Sequence, residues 1–111
     1  MIKNSIVPIL GSRWEIQMKT KQDNDPILED NNGYCDWTVR KIVLLKQEPH
    51  ILNLKDMDAF TKKNLKHELI HAYLDEVGLK SSSTWARNEE MVDWFASTIS
   101  KIEQTYKDIL E

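Results

Sequence analysis

The chain has a single cysteine, Cys35, in 111 residues. One thiol cannot form an internal disulfide, and it cannot build a cysteine-rich zinc ribbon. A small side chain in a strand context is its expected role. No apolar run approaches the roughly eighteen residues of a membrane-spanning helix. The opening Met1-Ile2-Lys3-Asn4 lacks the apolar core and cleavage site of a secretory leader. These absences predict a cytoplasmic protein with no membrane partner. Basic charge is not in excess either: 15 Lys and Arg against 18 Asp and Glu leave a net charge of −3. No broad basic surface for nucleic acid is therefore expected. Lys62, Lys63 and Lys66 read as the wet face of a helix. The length suits one domain, residues 1–111, with one modest core and no separate domain for substrate recognition.

Against this plain background, residues 67–71 read His67-Glu68-Leu69-Ile70-His71, an HExxH arrangement inside an amphipathic stretch. Side chains four apart on a helix lie one above the other. His67 and His71 can thus present two imidazole nitrogens to one tetrahedral ion. Glu68 borders the same face. It is too close along the chain to be a comfortable third ligand, but it is well placed to hydrogen-bond a water there and act as general base.

The segment Asn88-Glu89-Glu90-Met91-Val92-Asp93 opens a second helical pattern and supplies a carboxylate. A hydrolytic zinc keeps three protein ligands and one open position. Glu89 is the expected third ligand. Asp93, four residues on, shares its face and can accept the N–H of a coordinating histidine, fixing that ring's tautomer. Seventeen residues separate His71 from Glu89, enough for the chain to turn back and cross one helix over the other.

These residues resemble the gluzincin branch of the zinc metallopeptidases, in which HExxH on one helix is followed on the next by a glutamate, often within NExxxD. The match runs through His67, Glu68, His71, Asn88, Glu89 and Asp93, with Val92, Phe95 and Ala96 fitting the small and apolar positions that follow. It covers roughly residues 57–100. The run WARNEEMVDWFA looks like the small metallopeptidase-like proteins of phages and prophages, distantly related to the ImmA/IrrE and SprT-like groups. A metzincin would need glycine at 74 and histidine at 77, where this chain has Leu74 and Val77.

Along the chain, Ile6 to Leu10 and Trp14 to Met18 predict two strands joined around Gly11-Ser12. Lys21 to Gly33, rich in Asp, Asn and Glu, predicts a loop. Tyr34 to Leu45 predicts a third strand before the breaker Pro49, and Ile51, Leu52 and Leu54 an extended connector. A helix follows from about Met57 to Val77, capped by Asp56 or Asp58 and ended by Gly78. Its buried side is expected to carry Leu65, Leu69 and Ala72 with Ile70, Tyr73 and Val77. A serine-rich loop at Ser81 to Thr84 leads to the last helix, with Trp85 expected near the site. Val92, Phe95, Ala96, Ile99, Ile102, Tyr106 and Ile109 recur at core-packing steps to the end. The predicted fold is α+β: a small antiparallel or mixed sheet of about three strands packed on two long helices, a minimal zincin-like arrangement.

The expected function is a zinc-dependent endopeptidase acting on a protein or peptide substrate, with Zn2+ held by His67, His71 and Glu89 and Glu68 as base. Tyr34, His50, Tyr73 and Arg87 are all chemically able to stabilise an oxyanion, and nothing in their spacing selects one. Trp37 to Leu45 is the segment expected, by analogy with related enzymes, to pair with substrate as a sheet edge. The alternative is a zinc-stabilised protein-binding module or pseudoprotease without turnover. Glu68 speaks against it, because a structural site has no use for a base and closes its fourth position with Cys or His.

Overall fold

The computed structural model describes residues 2–47 and 56–111. Pro49, His50, Ile51, Leu52 and Leu54 lie outside the described residues.

The first apolar run forms a hairpin: β1 (Ser5–Ile9) pairs antiparallel with β2 (Ser12–Lys19), Ile9 opposite Ser12. The two-residue turn puts Leu10 at φ 48° and Gly11 at φ 86°. Tight hairpins need this left-handed pair to match strand twist, and Gly11 provides it without a steric penalty. The alternation of β2 sends Trp14 and Ile16 into the core and Glu15 outward.

The single strand expected over Tyr34 to Leu45 is in fact two, β3 (Gly33–Asp36) and β4 (Lys41–Leu45), antiparallel to each other. The Asp36 carboxylate accepts from Thr38 N at 3.0 Å and turns the chain, and Arg40 takes φ 51°. Trp37 and Val39 therefore sit in the turn, 61% and 63% exposed. β4 returns parallel to β2, so the sheet is mixed, with four strands in the order β1-β2-β4-β3. The α+β class stands. Because β4 is paired on both sides, the expected substrate edge moves from Trp37–Leu45 to β3.

The acidic stretch predicted as plain loop holds two 3-10 turns, Lys21–Asp23 and Pro26–Glu29. Asp25 organises the second: it accepts from Ile27 N at 3.0 Å and from Tyr34 Oη at 2.6 Å, and pairs with Lys19 at 2.9 Å. Local side-chain bonds of this kind are what Asp and Asn offer in place of regular structure. Leu28 then packs with Val43, Leu45 and Tyr34 on one face of the sheet.

The other face carries the main core, in which Ile9, Trp14, Ile16, Ile42 and Leu44 meet Ala72 of α1 (Met57–Glu76). Asp56 caps that helix by accepting from Ala59 N at 2.9 Å, and Gly78 follows its end at φ 77°. Its C-terminal turn is pinned by Glu76, which accepts from Trp14 Nε1 at 2.8 Å and Ser12 Oγ at 2.9 Å and pairs with Arg40 at 2.6 Å. The Arg40 guanidinium and the indole N–H hold the Glu76 carboxyl below its usual value. Tyr73 and Val77, assigned to the buried side, are 45% and 54% exposed. They lie on the flank of α1 turned from the sheet.

A short helix α2 (Leu79–Ser82) and a 3-10 turn at Trp85–Arg87 reverse the chain into α3 (Glu89–Leu110). Asn88 caps α3, accepting from Met91 N at 2.9 Å. Val92 and Ala96 are buried, whereas every residue from Ile99 onward is exposed. The expectation that the whole stripe to Ile109 is core is thus corrected. A helix of this length runs about 33 Å and outreaches the body it crosses. Among the described residues no helix is long and apolar enough to cross a membrane.

Candidate metal centre

Mid-helix, α1 presents His67 and His71 on one face, one turn apart, their rings edge-on with centroids 4.8 Å apart. The first turn of α3 crosses that face. Glu89 and Asp93, themselves one turn apart, point back at it. His67 Nε2 lies 2.8 Å from Glu89 Oε2, His71 Nε2 lies 3.1 Å from Glu89 Oε1, and the two Nε2 atoms are 3.2 Å apart. On its far side, His67 Nδ1 meets Asp93 Oδ1 at 2.7 Å. Every residue expected around the ion is therefore brought together.

No family model matches the chain, and no curated protein or solved structure matches it. What the cluster can do follows from its own atoms.

With its Nδ1–H donated to Asp93, a neutral His67 ring carries only a lone pair at Nε2. That lone pair faces the Glu89 carboxylate and the second imidazole. Three electron-rich atoms aimed at one point repel unless a proton or a cation sits among them. A tetrahedral ion bonded at about 2.0–2.1 Å sets its ligand atoms about 3.3–3.4 Å apart. With Glu89 Oε2 as the single carboxylate atom, the separations are 2.8, 3.3 and 3.2 Å: two lie close to that edge and the His67–Glu89 one is shorter. The donor set of two imidazoles and one carboxylate suits a divalent metal ion, and His67, His71 and Glu89 could hold one. Burial holds His71 below its ordinary value, which favours the neutral, ligating form. Its Nδ1 is buried without a hydrogen-bond partner.

Exposure differs sharply across the set. The His71 side chain is 7% exposed and that of Glu89 66%. The cluster is thus anchored on the core side and open on the α3 side, as a site that admits a further ligand must be. Next to it runs a cleft of about 210 Å³ lined by Asn31, Asn32, Gly33, Lys63, Asn64 and Glu68, together with His67 and Asp93. Glu68 is 8% exposed. Burial, opposed in part by His67 and reinforced by the Glu89 carboxylate, pushes its carboxyl up to about 7. A base poised near neutrality accepts and returns a proton with equal ease.

Of the oxyanion candidates, Tyr34 is spent on Asp25 on the opposite face of the sheet. Arg87 donates to Lys80 O at 3.2 Å. Tyr73 lines an apolar groove between α1 and α3, and so does Trp85, expected nearer the site. His50 lies outside the described residues. Sequence reasoning missed Asn64. Its amide nitrogen is buried, has no hydrogen-bond partner, and belongs to the cleft that Glu68 lines. The available signal was its position three residues before His67, one turn down the same flank of α1.

Proposed function

We propose that this protein is a zinc-dependent endopeptidase of minimal, zincin-like build. The observation that carries the reading is the convergence of His67, His71 and Glu89, with His67 and the buried Glu68 also lining an adjacent open cleft. His67, His71 and Glu89 would hold the ion. When bound, zinc supplies Lewis acidity towards a carbonyl oxygen and towards water. Glu68 takes the proton from the attacking water as the new C–O bond forms. It then returns that proton to the amide nitrogen as the C–N bond breaks, so one carboxyl serves as base and acid in turn. Asp93 fixes the His67 ring by its bond to Nδ1. Asn64, whose amide nitrogen has no hydrogen-bond partner and which lines the cleft with Glu68, is the donor assigned to the oxygen on which charge develops.

Substrate access follows from the sheet order. β3 is the edge strand beside α1, and it begins at Gly33 in the wall of the cleft. An extended peptide laid against β3 would form main-chain hydrogen bonds with it while its scissile bond reached the cluster.

The experiment is metal analysis of the purified protein together with a peptidase assay on wild type and Glu68→Gln. Stoichiometric zinc in both, with turnover only in the wild type, is the expected result. A protein that carries no zinc and takes up none on reconstitution would end the proposal. Zinc retained with no cleavage by the wild type of any of a broad set of unfolded proteins would favour the binding-module alternative.

A further inference from the structure

We infer that the outer half of α3 pairs with α3 of a second copy of this chain, antiparallel, about a two-fold axis near Ile102. The last twelve residues of α3, Ile99 to Leu110, are all exposed. They form an arm about 18 Å long that extends past the described residues of the body. Its large apolar side chains face water along the whole arm, a surface that a partner helix would cover.

The pattern on the arm says what kind of partner. Val92, Phe95, Ile99, Ile102, Tyr106 and Ile109 fall at alternating steps of three and four. That repeat of 3.5 is the seam of helices that pair with helices, narrower than the stripe a helix turns to a globular core. Val92 belongs to the body, whereas Ile99, Ile102, Tyr106 and Ile109 are 45%, 45%, 54% and 77% exposed. The positions bordering the exposed seam are Thr98, Glu103, Thr105 and Leu110. Only Glu103 is charged, and Lys107 lies 3.9 Å from it. Two identical arms can therefore meet without opposed rows of like charge.

The seam also runs into a groove. Ile70, Tyr73, Leu74, Trp85, Met91 and Phe95 line a cavity of about 390 Å³ between α1 and α3, with Ile99 at its mouth. In an antiparallel pair centred on Ile102, Ile99 faces Tyr106 of the second copy and Phe95 faces its Ile109. The tip of each arm then reaches the other copy's groove. Such a contact is isologous: the same surface serves both partners and the assembly closes at two. Six large side chains, Tyr73, Trp85, Ile99, Ile102, Tyr106 and Ile109, are 45% to 77% exposed along this path. At roughly 100 Å² each they leave about 600 Å² open per copy, close to the ~800 Å² per partner of a standard interface. Glu89 and Asp93 lie on the opposite flank of α3, so the cleft beside the metal cluster stays open in the pair.

The test is sedimentation equilibrium of the full chain at ~100 µM, a hundredfold above a micromolar Kd. The wild type is expected to be a dimer. Ile102→Glu, which sets two carboxylates across the axis, is expected to be a monomer with its sheet and α1 signals intact by circular dichroism. Ile99→Lys and Tyr106→Glu should each raise Kd at least about tenfold, and the double variant should recover most of that loss, since only the antiparallel register brings the two positions together. A monomeric wild type at that concentration overturns the inference and leaves the seam to a different occupant. A dimer that survives Ile102→Glu, or a double variant no better than the worse single one, overturns it as well.

Discussion

Nδ1 of His67 and Oδ1 of Asp93 lie 2.7 Å apart, so the ring that carries one edge of the candidate metal centre is oriented from α3 as well as from its own helix. Partners of this kind raise ligand basicity and hold the tautomer with the lone pair at the metal-facing nitrogen. Asp93→Ala is expected to weaken zinc binding by ~10- to 100-fold, and Asp93→Asn by much less because its amide oxygen still accepts the N–H. Competition against a chromogenic chelator reads both. Equal affinities for wild type and Asp93→Ala would show that the contact does not tune the ligand.

That contact was legible in the sequence because most of what builds it is local. The spacings 67/71 and 89/93 are single helical turns, and Asn88 fixes where α3 begins by capping it. Only the crossing of the two helices is long-range. The sheet was less legible. Whether Tyr34 to Leu45 is one strand or two depends on the Asp36 side chain bonding Thr38 N and on Arg40 accepting a left-handed backbone. Neither leaves a mark in the hydrophobic pattern. Which strand forms the edge depends on β4 inserting between β2 and β3, a pairing no local window contains. The stripe on α3 was read correctly as apolar, and correctly as core at Val92 and Ala96, but wrongly as core from Ile99 onward. A 3-4 repeat records that a face will be covered but not by what.

Gly33 is a second place where the cleft is tightly specified. A Cβ there would lie 2.8 Å from Leu44 Cδ2, 3.0 Å from Val43 O and 3.7 Å from Glu68 Cγ. The leucine methyl can rotate away, but the carbonyl is held in the sheet, so β3 itself must shift. Gly33→Ala is expected to destabilise the fold by ~1–3 kcal/mol, the usual range for overpacking. Urea unfolding should show this as a lower midpoint at constant slope. A loss under about 0.5 kcal/mol would mean that the edge strand gives way freely.

Glu68 makes the sharpest pH prediction, for protein stripped of metal by a chelator. Its carboxyl titrates near 4.5 when the chain is unfolded and at about 7 in the fold, because burial disfavours the charged form. Between those values the unfolded chain has released a proton that the folded protein still holds. Each rise in pH across that window therefore favours unfolding: the residue's contribution is intact below about pH 4.5, declines to about pH 7 and stays low above it. Gln has the same shape and cannot ionise. Glu68→Gln should match the wild type near pH 4.5 and exceed it by on the order of 1–3 kcal/mol at pH 8. Taking the difference between the two proteins at each pH removes most of the contribution of the other groups, which are common to both. Urea denaturation at the two pH values reads the effect directly. If the gap at pH 8 equals the gap at pH 4.5, or has the opposite sign, burial does not raise the Glu68 carboxyl in the fold, and its proton affinity is not tuned to the neutral range.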